Sequence, residues 1–148
     1  MGQDERMRLV EITKKYVGAP YKLGSFDPKE GLDCLSLVLN FTRDLGGETP
    51  EEFDGITIND YPKLWKEEPI KAKKKFVRFL ASTFKEVDRR RSLPGDIIVC
   101  TDNNGKFVIG INAGNGQFLT VVENEGVRKL RISDFTLKRV YRWEQRQD

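Results

Sequence analysis

The chain has 148 residues, 38% apolar and 33% charged, with fifteen aromatics, which is the make-up of one globular domain (1–148) with its own core. Its 26 basic and 23 acidic residues leave a net charge of +3, so no nucleic-acid partner is expected, and no apolar run approaches the ~20 residues of a membrane span. There is no histidine, which excludes Cys/His and Ser/His pairs and every His-containing zinc site.

Leu9, Ile12, Tyr16 and Val17 fall at i, i+3, i+7 and i+8, predicting an amphipathic helix over 5–17. Residues 1–15 lack the apolar core of a secretory leader, so export by the usual route is not expected. Gly18 and Pro20 stop the helix, and the glycines of 18–33 make that stretch a loop. Asp33 is the expected N-cap of a second helix, whose apolar face is Cys34, Leu37, Val38, Phe41 and Leu45 and which Gly46 and Gly47 end. Residues 48–68 are acidic and carry Pro50 and Pro62. They read as an irregular connection with a short helical turn at 61–65. Phe76, Leu80, Phe84 and Val87 share one face of a third helix over 70–88. The basic clusters Lys71–Lys75 and Arg89–Arg91 read as a solvated face or, alternatively, a surface for an anionic partner.

After Pro94-Gly95 the period changes to two. Strands are predicted at 97–101, 106–112, 117–123, 127–132 and 138–143, with Asn/Gly turns at 102–105, 114–116 and 124–126. Helices followed by strands imply an α+β fold, with the helices packed on one face of a five-stranded antiparallel meander.

Two cysteines are too few for a disulfide framework or a Cys-only zinc site, and reduced thiols are the simplest reading. Cys100 reads as a core strand residue. Cys34 opens a helix after a Gly-containing loop, where backbone N–H groups stabilise a thiolate, while the neighbouring Asp33 carboxylate opposes ionisation. Cys34 also shares a face with Leu37, Val38 and Phe41, as a small core residue would.

Several of these segments, in this order, resemble the NlpC/P60 cysteine peptidases. Tyr16-Val17-Gly18-Ala19-Pro20-Tyr21 with Gly24 is similar to that family's Gly-x-Pro-Tyr loop. Leu32-Asp33-Cys34-Leu35-Ser36-Leu37 is similar to its Asp-Cys-Ser-Gly-Leu helix start. Leu93-Pro94-Gly95-Asp96-Ile97 resembles the Pro-Gly-Asp segment leading into a strand, and Ile109-Gly110-Ile111 through Gly116 resembles the His-Val-Gly-Ile hairpin. The resemblance covers about residues 5–143. It implies a papain-like NlpC/P60 fold that cleaves cell-wall peptides with a cysteine nucleophile, a histidine base and a polar residue orienting that base. On this sequence it places the nucleophile at Cys34, the base at Val108, the orienting residue at Thr120 and substrate-binding groups at Tyr21 and Asp33. Leu35 and Ser36 stand where the family has serine and glycine.

Valine takes no proton, so the resemblance implies a vestigial nucleophile and a lost base. The expected function is a catalytically inactive structural or assembly component, in a phage tail or tail tip, bound to other tail proteins. Its expected location is the virion, or the cytoplasm before assembly. Two alternatives stay open: a divergent cysteine peptidoglycan endopeptidase using Cys34 with a non-His base such as Lys106, and a peptidoglycan-binding module. No cofactor or metal is expected.

Overall fold

The computed structural model describes residues 3–143. Helix α1 (Gln3–Tyr16) ends where Gly18 turns with φ +88 and donates its N–H to the Val127 carbonyl at 2.9 Å. Helix α2 (Cys34–Asp44) starts in a full capping box: Asp33 accepts the Ser36 N–H at 2.8 Å, and the Ser36 hydroxyl accepts the Asp33 N–H at 2.9 Å. The acidic connection is more ordered than its composition suggests. It contains a hairpin of β1 (Glu52–Phe53) and β2 (Ile56–Thr57), turned by Asp54 and Gly55 at positive φ, the Asp-Gly pair that such turns favour. The short turn expected at 61–65 is helix α3 (Tyr61–Glu67).

Helix α4 (Pro69–Thr83) is shorter than its apolar period predicts. Phe84 is extended (φ −115, ψ 164), and Lys85–Val87 form β3. Phe84 packs its ring against Phe79 and Trp143 while Lys85 and Val87 pair with Arg142 and Val140, so strand pairing outweighs the helical period there. The remaining strands are β4 (Ile97–Thr101), β5 (Phe107–Gly114), β6 (Gln117–Val122), β7 (Gly126–Arg131) and β8 (Thr136–Arg142).

The main sheet is antiparallel and has six strands rather than five, in the order β3-β8-β4-β5-β6-β7. Strands β4 to β7 form the expected meander, but β8 does not pair with β7. The chain crosses back through a 3-10 turn at Ile132–Asp134 and inserts β8 between β3 and β4. On the way, Ile132 and Phe135 cover a small core of Ile98, Cys100, Phe118 and Val140 on the far face of the sheet. That crossing satisfies apolar side chains that a simple meander would leave in water.

All four helices pack on the other face, as expected. Leu37 and Phe41 of α2 meet Ile111, Leu119 and Val121, and Phe76 and Leu80 of α4 meet Ile97, Val99 and Tyr141. Asp96, 2% exposed, ties the Pro-Gly-Asp turn to β8: Arg142 donates to both carboxylate oxygens at 2.9 Å, and the Leu93 N–H adds a third bond at 2.8 Å. Among the described residues no helix is long and apolar enough to cross a membrane.

Candidate functional site

The site is a split in the sheet. The ladder between β5 and β6 ends at Gly110 and Thr120, although β5 begins at Phe107 and β6 runs on to Val122. The N-terminus of α2 enters this opening, so Cys34 packs against both helix-side cores and makes a backbone hydrogen bond with Val121. Above it is a cleft of about 260 Å³. All five residues singled out in the sequence, Tyr21, Asp33, Cys34, Val108 and Thr120, line it.

The chemistry at those positions is that of an apolar pocket. The Cys34 thiol is pushed up to about 12, first by burial and then by the Asp33 carboxylate; the Val121 backbone and the charges of Lys106 and Lys73 pull the other way and lose. The helix N-terminus therefore does not produce a thiolate, because desolvation outweighs it. Such a thiol stays in its neutral form near neutral pH. Native-state alkylation of Cys34 by iodoacetamide is accordingly expected to run far below the rate in the denatured chain, which a thiol-labelling time course with mass readout checks.

Val108 reaches the cleft from the opposite face of the sheet, where it packs with the Ile98–Phe118 cluster. The Thr120 hydroxyl donates at 2.9 Å to the Ile109 carbonyl, next to the last β5–β6 pair, and so finishes the ladder rather than orienting a base. Asp33, 7% exposed, has both oxygens occupied: one accepts the Ser36 N–H and the other the Gly24 N–H at 2.7 Å. It holds the Tyr21 loop onto the helix. Removing it as Asp33→Ala loses the cap and orphans the Gly24 donor, an expected cost of about 2–4 kcal/mol. Asp33→Asn keeps a capping oxygen and should recover part of that; urea denaturation of the two variants checks the order.

Tyr21 forms an isolated bridge to Leu32, and its pKa is raised by burial and by Glu123, Asp33 and Cys34. Leu35 adds an apolar wall to the cleft. Lys106 is not on β5: it sits exposed in the β4–β5 turn, its N–H held by the Asp102 carboxylate at 2.9 Å. That place does not suit a base, since a lysine base needs burial.

Sequence reading missed one wall of the cleft. Trp65 and Tyr61 of α3 contact each other, the Tyr61 hydroxyl donates to the Ala72 carbonyl at 2.9 Å, and Lys73 of α4 lies 5.9 Å over the Trp65 ring. The Lys71–Lys75 cluster is thus divided: Lys73 faces the cleft, while Lys75, with Arg78, pairs with Asp54. The aromatic spacing Tyr61–Trp65 at i, i+4 is a visible signal, but nothing local says that α3 folds back over Cys34.

A cysteine at the start of a helix, packed end-on against an antiparallel sheet, is the centre of this α+β architecture. Among solved structures the chain is similar to the NlpC/P60 domain of the peptidoglycan hydrolase SagA, at 20% identity and a TM-score of 0.59 over 92% of this chain and 97% of that one. It is also similar to NlpC2 from Trichomonas vaginalis, at 19% identity and a TM-score of 0.64 over 99% of this chain and 49% of that one. The fold of this chain is the NlpC/P60 fold. No protein-family profile and no curated protein matches the sequence.

Proposed function

We propose that this domain keeps the NlpC/P60 scaffold without peptide hydrolysis. The observation that carries the reading is the pairing across the cleft: a neutral Cys34 thiol shares it with Val108, in a chain that has no histidine. Amide cleavage needs a thiolate to attack and an acid to protonate the leaving amine, and these side chains supply neither. The divergent-peptidase alternative needs a non-His base, and the exposed turn position of Lys106 speaks against that residue in the role.

In this reading the role is structural, as a component of a phage tail or tail tip docked on other tail proteins. Support for that setting is analogy at the level of the fold. Mass spectrometry of purified particles tests it: recovery of the chain with tail proteins supports the setting, and its absence from particles removes it. A second reading, a peptidoglycan-binding module, is favoured by the open cleft with its aromatic wall. Pull-down on purified cell wall separates the two.

The hydrolysis claim has its own test. Purified peptidoglycan is incubated with the protein and with Cys34→Ala, and released peptides are read by mass spectrometry. Neither protein should release peptide. Release by the parent that disappears in Cys34→Ala overturns the proposal.

A further inference from the structure

The net charge of +3 is unevenly placed. Strand β3, the 3-10 turn that follows it (Arg89–Arg91) and strand β8 carry seven basic residues, five of them arginines. Three acids stand among them, Glu86, Asp88 and Asp96, so this corner alone holds more positive charge than the whole chain. Each acid is taken by an arginine: Glu86 by Arg139 at 3.0 Å, Asp88 by Arg90 at 3.0 Å and Asp96 by Arg142 at 2.9 Å. Among the described residues, Arg89, Arg91 and Lys138 have no carboxylate at ion-pair distance. Arg89 reaches across to the Leu137 carbonyl at 3.5 Å, and the Arg91 carbonyl accepts from Arg142 at 3.4 Å, which draws the turn and β8 into one surface. None of these residues lines the cleft.

The surface is not only charged. Leu93, 40% exposed, follows the turn, and its N–H is held by Asp96 beside Arg142. Val87 of β3 and Leu137 of β8 are half-buried. Arginine around exposed apolar side chains is the composition of a protein interface, where lysine is depleted. A phosphate backbone would call on the cations alone and leave Leu93 without a use. A second copy docked face to face would bring the same positive corner against itself.

We propose that this corner docks an acidic segment of a partner protein, its carboxylates on Arg89, Arg91 and Lys138 and an apolar side chain on Leu93. The inference names the chemistry of the partner that an assembly role requires and rests on that role. It stands apart from the hydrolysis claim, because the corner is separate from the cleft.

The probe is a fluorescein-labelled peptide of Glu-Asp-Leu repeats, followed by anisotropy on the full chain. Gln-Asn-Leu repeats, Glu-Asp-Ser repeats and a short DNA duplex are the comparators. The Glu-Asp-Leu peptide should bind saturably, and at least tenfold more weakly in about 0.5 M salt than in about 0.05 M. The uncharged peptide should not bind, and the serine peptide should bind at least threefold more weakly. Arg89→Gln with Arg91→Gln should weaken binding at least tenfold. Lys14→Gln with Lys29→Gln removes the same charge from exposed positions elsewhere and should leave binding within twofold. Arg89 also bonds Leu137, so Lys138→Gln is the second variant; it removes no hydrogen bond among the described residues and should cost about threefold. No binding, equal binding of either altered peptide, an equal loss in the Lys14 and Lys29 variant, or tighter binding of the DNA duplex overturns the proposal. So does self-association in sedimentation velocity that Arg89→Gln with Arg91→Gln abolishes, which would make a second copy the occupant. Release of peptides from peptidoglycan would overturn the non-hydrolytic reading and leave this surface standing.

Discussion

Val108→His is expected to speed alkylation of Cys34 by about 30- to 100-fold near pH 6, with the gain shrinking as the new imidazole loses its proton. Position 108 lines the same cleft as Cys34, and an imidazolium that swings from it to contact range of the sulfur, about 4 Å, would at an effective dielectric of about 20 favour the thiolate by roughly 4 kcal/mol, or about three pKa units. Starting from about 12, that multiplies the thiolate by roughly a thousand, while the lower basicity of the sulfur takes back a factor of about 20. The sign with pH follows from the partner: the gain is present below the imidazole pKa of ~6.5 and is lost above it. The measurement is a pH profile of iodoacetamide labelling on folded protein, with the denatured chain as reference. A profile identical to that of the parent would mean that position 108 does not address Cys34. The substitution also places a polar ring among the apolar side chains around Phe135, so a stability loss of about 1–3 kcal/mol should accompany it.

Gly110→Ala is expected to destabilise the fold by more than about 3 kcal/mol, or to prevent folding. Gly110 does not need glycine for its dihedral angles; the requirement is space. A Cβ there would run into the Leu119 carbonyl of the paired strand and come within 2.6 Å of the Phe118 ring. Both neighbours are core: Leu119 and Phe118 are fully buried, and Gly110 is the last paired position before the split. Relief can come only by pushing β6 away, which widens the opening that holds Cys34. Gly116→Ala is the matched comparison. It has positive φ (+72) but open space, so its cost should be about 1 kcal/mol from backbone conformation alone. Paired denaturation curves separate a packing glycine from a turn glycine; equal costs would refute the distinction.

The residues of the candidate site are legible in the sequence as positions. Cys34, Val108, Thr120, Tyr21 and Asp33 do converge on one cleft. Their chemical states are not legible there. Whether the α2 N-terminus or burial governs the Cys34 thiol depends on how much protein surrounds the sulfur, and that protein is Val121, Leu35 and the α3–α4 wall, from three separate segments. Asp33 shows the same limit. Its capping role follows from the Ser36 spacing, but its second bond, to Gly24, closes a loop across nine residues.

Local pattern is enough for the α+β order, the α2 capping box, the meander of β4 to β7 and the absence of a histidine base, because each depends on neighbours within a few residues or on a count. The return of β8 between β3 and β4, the early end of α4 at Thr83, the splitting of β5 from β6 and the α3–α4 wall of the cleft depend on contacts between distant segments. Those contacts are selected by the burial of apolar surface over the whole domain, a sum that no local window contains.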